Sequence, residues 1–160
     1  MTHTRKLAAA LSALFLLSAC ESGITSGGTD GLGSSGSLAS PGTQDDLTQN
    51  VGDRVFFATD SSSLNSESQT TLQRQATWIK QYPNVRITVE GHADERGTRE
   101  YNIALGERRA SVAKRYLISQ GIPANRISTI SYGKERPAVV GSDSSAWSQN
   151  RRSVSVIVTQ

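Results

Sequence analysis

A single cysteine, Cys20, in 160 residues excludes an internal disulfide. Histidines number two, His3 and His92, and they fall in unrelated segments. His92, Asp94 and Glu95 therefore lack the second imidazole that a transition-metal site would want, and no metal or other cofactor is expected. Aromatic residues make up 6 % of the chain. The bases Arg108, Arg115, Arg151 and Arg152 come without an aromatic stacking platform, which argues against nucleic acid as a partner. Long apolar runs are also missing. Leu7–Leu17 (LAAALSALFLL) spans eleven residues, about 17 Å of helix against the ~30 Å of a bilayer core.

That short run has another use. Arg5 and Lys6 precede it and Leu17-Ser18-Ala19-Cys20 follows it, so residues 1–19 read as a signal peptide ending at a lipobox. The segment resembles the lipobox of bacterial lipoproteins, which implies that Cys20 is lipidated and becomes the new N-terminus. In proteins of that kind an aspartate at the position of Glu21 signals inner-membrane retention, so the resemblance implies the outer membrane, facing the periplasm, as the expected location. Residues 20–48 read as a flexible leash, because glycine and serine dominate and no apolar period offsets the entropy of ordering. Counted from Glu21 to Asp53, 33 residues, the tether has a typical end-to-end distance of roughly 30 Å and a stretched limit of roughly 110 Å.

Net charge is +3 but uneven. Residues 21–53 carry five acids and no base, whereas from Arg54 onward 15 bases face 9 acids. Such a surface suits an anionic partner. The folded domain is expected over 49–160, long enough to bury a core alone. Arg54–Ala58 is of strand length. Asn65 is an N-cap candidate, and Leu72, Ala76 and Ile79 recur at helical spacing, predicting a helix over 66–81 that stops before Pro83. Val85, Ile87 and Val89 alternate with polar residues, as a half-buried strand requires. A second helix runs to about Gln120, ended by Gly121 and Pro123. Ile127–Tyr132 reads as a third strand, a loop holding Gly133, Pro137 and Gly141 leads to Trp147, and Val154, Val156 and Val158 alternate in a last strand. The order βαβαββ predicts an α+β domain of two layers, with both helices on one face of a mixed sheet.

The densest polar stretch is Gly91–Arg109, GHADERGTREYNIALGERR. With Leu105 at 0° on a helical wheel, Val112, Ala113, Tyr116 and Leu117 fall at roughly 340°, 80°, 20° and 120°. Arg109 falls at ~40°, the centre of that apolar stripe, and Asn102 at ~60°. A guanidinium in that place needs an anion, since unpaired buried charge costs several kcal/mol. Asp94 lies on the loop before the helix, and Gly91 and Gly97 permit close turns there. A carboxylate on the rim of a pocket and an arginine on its floor suit a zwitterion. The bland alternative is an internal Asp94–Arg109 ion pair. Ser111-Val-Ala-Lys114 fits the serine acyltransferase pattern S-x-x-K, but both side chains fall on the solvent side of the wheel and its companion motifs are missing, so no enzyme is expected.

GHADERGTREYNIALGERRA, with SYGKERPAV and NRRSVSV downstream, resembles the OmpA C-terminal-like domain family, most closely its peptidoglycan-associated lipoproteins. The resemblance spans about Arg54–Val158, with Arg99 standing where close members often carry proline. It implies noncovalent binding of peptidoglycan through the diaminopimelate of the stem peptide, gripped by Asp94 and Arg109. Gly91, Thr98 and Asn102 are expected around them, and Phe57 and Asp60 are candidates from the first strand and its turn. It also implies docking to the periplasmic protein TolB, with contact to TolA, in the system that ties outer membrane to wall during division. The rival expectation is a lipoprotein that scaffolds mainly through protein contacts.

Overall fold

The glycine-rich stretch gives way to structure earlier than its composition suggests. The computed structural model describes residues 39–158. The expected signal peptide, Cys20 and the leash as far as residue 38 lie outside the described residues. Thr43 caps a short helix, α1 (Gln44–Asp46), by accepting the Asp46 N–H, and the chain continues in a π-type turn, Leu47–Val51. Leu47 is fully buried in the core. Asp46 accepts the Trp78 indole N–H at 2.9 Å and the Asn50 amide at 2.8 Å. Residues 43–48, expected in the leash, therefore belong to the folded domain. Polar neighbours hide them in the sequence, because one buried leucine makes no periodic signal.

Four strands follow: β1 (Arg54–Phe56), β2 (Arg86–His92), β3 (Ile127–Gly133) and β4 (Arg152–Val158), in the order β1-β4-β2-β3. β2 and β3 run parallel, while β4 runs antiparallel to both β1 and β2. A parallel pair requires a crossover, here α3 (Arg99–Ser119). α2 (Ser66–Gln81) starts where Asn65 accepts the Ser68 N–H at 2.8 Å, and it has the span its spacing predicts. Leu72, Ala76 and Ile79 of α2 join Ala110, Ala113 and Leu117 of α3 over Val55, Ile87, Val89 and Ile127, so both helices cover one face. The two-layer mixed-sheet expectation holds. The connection before β4 contains a seven-residue helix in place of the expected loop, α4 (Ser144–Asn150), capped by Asp143.

The β4 alternation is real, but its valines face away from the helices. Ser153 lies opposite Val55, Ser155 opposite Val89, and Ile157 opposite Ile87, and residues paired across strands share a face. The small serines make room for buried Gln75 of α2, which donates to Gly52 O at 2.6 Å and accepts the Ser155 hydroxyl at 2.8 Å. Beyond the end of β1, Gln44 closes the open edge of β4. Its amide accepts the Ile157 N–H at 2.8 Å and donates to Ser155 O at 3.2 Å.

Candidate functional site

β2 ends at His92, and α3 begins seven residues further on, after Thr98 caps it by accepting the Tyr101 N–H at 3.2 Å. The loop between folds back over the first turns of α3 because buried Asn102 donates to Arg96 O at 2.8 Å and to Thr98 O at 3.1 Å. Gly97 sits at φ +89, where a side chain is disfavoured. Between this loop, the turn after β1 and α3 lies a cavity of about 320 Å³. Asp60, Asp94, Asn102 and Arg109 line it together with Thr59, Arg96, Gly97, Tyr101 and Leu105.

Arg109 is one pole of the cavity. It is fully buried, as the centre of an apolar stripe should be. Its Nε donates to Ser61 O at 2.8 Å, Nη1 to His92 O at 2.8 Å and Nη2 to Ala58 O at 3.2 Å. The guanidinium lies 5.2 Å from the ring centroid of Phe57. Carbonyl oxygens take three of its N–H groups but carry no full charge, and among the described residues no carboxylate pairs with it. Burial pushes it down to about 10. A guanidinium has five N–H donors, so two remain for something else.

Asp94 is the other pole, and it is also buried. Its Oδ1 accepts the Arg96 backbone N–H and Nε, each at 3.1 Å, and its Oδ2 accepts Arg96 Nη2 at 2.7 Å. Arg151 Nη1 lies 3.4 Å from the same Oδ2. Burial alone would raise the carboxyl, but the bonds from Arg96, aided by Arg151, outweigh it and hold the group below the usual carboxylate range. The internal Asp94–Arg109 ion pair does not form.

The remaining expected residues separate into those in the cavity and those behind it. Asp60, at φ +53, accepts the Tyr101 hydroxyl on the rim. Thr98 is the helix cap and does not line the cavity. Phe57 is buried beneath Arg109. Gly91 is a packing residue, since a Cβ there would overlap the Gly106 carbonyl of α3. Arg96, Tyr101 and Arg151 went unassigned. Tyr101 falls on the edge of the α3 stripe on the same wheel, a signal that could have found it; nothing in the spacing marks the two arginines.

His92 shows how tightly this region is closed. Its imidazole is buried, stacks 5.6 Å from the Tyr132 ring centroid and has Nε2 3.5 Å from Glu90 Oε2, with neither nitrogen in a hydrogen bond. Burial, then the Arg152 charge, pushes it down to about 4 from 6.5. Between those values the unfolded chain binds a proton that the native one refuses. Stability should therefore fall by about 3 kcal/mol as pH drops through that window. Urea denaturation at stepped pH should show this slope, and His92→Phe should flatten it; a variant slope equal to the wild-type one would refute the assignment.

Known proteins are similar to this chain over the same domain. The model of the OmpA family matches residues 56–151. The peptidoglycan-associated lipoprotein of Agrobacterium fabrum is 63 % identical over 132 residues, which is 82 % of this chain and 74 % of that protein. Its counterpart in Rhizobium meliloti is 61 % identical over 79 % of this chain and 72 % of that one. Among solved structures, the crystal structure of the peptidoglycan-associated lipoprotein from Burkholderia pseudomallei superposes with a TM-score of 0.66 at 36 % identity, covering 71 % of this chain and 100 % of that chain. The C-terminal domain of Helicobacter pylori MotB superposes with a TM-score of 0.63 at 25 % identity, covering 68 % and 85 %.

Proposed function

Because the chain belongs to the OmpA family, and within it to the peptidoglycan-associated lipoproteins, we propose that it is an outer-membrane lipoprotein that binds peptidoglycan noncovalently. The diaminopimelate of a stem peptide enters the cavity with its distal carboxylate toward Arg109 and its ammonium toward Asp94. One observation carries this reading: two opposite charges line a single cavity and do not neutralise each other. A carboxylate at Arg109 would supply the anion that three carbonyl oxygens cannot, through a charge-assisted bond worth about 1.5–3 kcal/mol. An ammonium at Asp94 would share or replace Arg96, whose side chain is 42 % exposed. No metal or cofactor enters this scheme.

The same reading extends to the envelope. Lipid on Cys20 holds the chain in the outer membrane, and TolB, with contact to TolA, is the protein partner. Sedimentation with purified peptidoglycan tests the wall contact. Asp94→Ala should weaken retention about 30-fold, or ~2 kcal/mol. A folded Asp94→Ala chain that sediments like the wild type would remove the proposal. Cys20→Ala should leave wall retention unchanged and shift the chain out of the membrane fraction; persistence in membranes would contradict the lipid anchor.

A further inference from the structure

We infer that Arg151 is a positioning residue that sets the separation of the two charge poles, an inference that rests on the stem-peptide reading above. Asp94 touches two arginines of unequal standing. Arg96 lies two residues away on the same loop, half-exposed, reaching Thr59 and stacked over Trp147 at 4.3 Å. An arriving ammonium can displace it into solvent. Arg151 cannot leave so readily, because its side chain is only 14 % exposed and is tied to a second acceptor.

That second acceptor is the important one. Arg151 Nε donates to Phe57 O at 3.0 Å, and the Phe57 N–H donates back to Arg151 O at 2.9 Å. Phe57 is thus held on both sides by one residue. It opens the segment 57–61, whose Ala58 O and Ser61 O hold Arg109 and whose Thr59 and Asp60 line the cavity. A single planar fork therefore joins the carboxylate pole to the segment that carries the cation pole. Arg96 also bridges Asp94 to Thr59, but that link goes when Arg96 is displaced; the connection that then remains besides Arg151, His92 O to Arg109 Nη1 at 2.8 Å, constrains backbone only and leaves the Asp94 side chain free to turn. With Arg96 displaced, Arg151 keeps Asp94 ionised and aimed inward.

Titration calorimetry of the full-length chain in detergent, with a stem tripeptide containing meso-diaminopimelate, tests this. Arg151→Gln should lower affinity about tenfold, since small misplacement of a charged group is costly. It should also move the acid limb of the affinity profile to higher pH. The charges facing Asp94 are then Arg96, Arg109 and Glu95, and burial, which favours the protonated form, loses one of its opponents. Arg151→Lys should restore the acid limb yet recover affinity only in part, because one ammonium cannot reach both Phe57 O and Asp94. A merely structural arginine would lower affinity equally at every pH; that result, or unchanged affinity, overturns the inference. Should Arg151→Gln fail to fold, Arg151→Lys decides alone: about a fivefold loss supports the role, and wild-type affinity overturns it. A wild-type chain that does not bind the peptide removes the stem-peptide reading and this inference together, whereas normal wild-type binding with an unaffected Arg151→Gln removes this inference only.

Discussion

Arg109→Ala is expected to lose peptidoglycan retention altogether and about 3–5 kcal/mol of stability. The two losses have different origins. Stability falls because Ala58 O, Ser61 O and His92 O lose their donor at once. An orphaned buried acceptor costs about 1–3 kcal/mol; the His92 carbonyl is the buried one, whereas Ala58 O keeps the Ser61 N–H at 3.3 Å and water can reach the part-buried Ser61 O. Retention falls because the only fully buried cation on the cavity wall is gone. The native arginine is itself under tension. Burial pushes its value down to about 10, which means that folding disfavours its charged form. The sign follows: the cost, on the order of 3 kcal/mol, is present at neutral pH and disappears only as pH rises above about 10 and the group discharges. A ligand carboxylate relieves that cost, so binding energy is drawn from a strain already present in the free protein. Arg109→Lys separates the two effects. It keeps a charge but cannot span three carbonyls on two segments, so it should recover part of the stability and little of the retention. Urea denaturation and sedimentation on the same samples provide the check. Arg109→Ala chains as stable as wild type, or folded and fully retained, would contradict the role given to this residue.

Some of this site was legible in the sequence because side-chain period carries it. Arg109 could be placed facing the core from the spacing of Leu105, Val112, Ala113 and Tyr116 alone, and it is fully buried. α2 could be bounded because Asn65 caps it and Pro83 follows it. What satisfies Arg109 was not legible. Its partners are backbone oxygens of Ala58, Ser61 and His92, and any residue type offers a carbonyl, so no motif announces them. The partner of Asp94 was hidden for a related reason. Arg96 is two residues away and looks like one more surface charge until the loop folds back on Asn102. The face of β4 was lost because alternation fixes parity and not direction, and the serines that point inward are polar. α4 has seven residues, too few for a period to show, and its capping Asp143 sits in a stretch that reads equally well as a turn.

Gly91→Ala should be the most damaging of the glycine substitutions, with a loss of about 3 kcal/mol in stability, the upper end for overpacking. α3 crosses β2 with Gly106 lying directly on Gly91. A Cβ on Gly91 would overlap the Gly106 carbonyl, and one on Gly106 would meet the Ser131 hydroxyl and stand 2.8 Å from Gly91 O. The colliding atoms of Gly91 are backbone, so no rotamer change relieves them and the helix has to rise. Arg109 lies one turn further along α3. Lifting it draws the guanidinium away from the carbonyls on the β1 side and on His92, while Asp94 stays with β2. A displacement of about 1 Å between such groups can cost 10²-fold in function, so wall retention should fall with stability. Gly97→Ala gives the contrast. Its added Cβ would meet only ordinary contacts, 3.5 Å from Tyr101 and 3.6 Å from Asn102, and the cost comes from φ +89, about 1–2 kcal/mol. Thermal unfolding should therefore rank Gly91→Ala below Gly97→Ala, and sedimentation should rank them the same way. Equal melting temperatures for Gly91→Ala and wild type would mean that α3 does not rest on β2 at this point, and the placement of Arg109 over the cavity floor would fall with it.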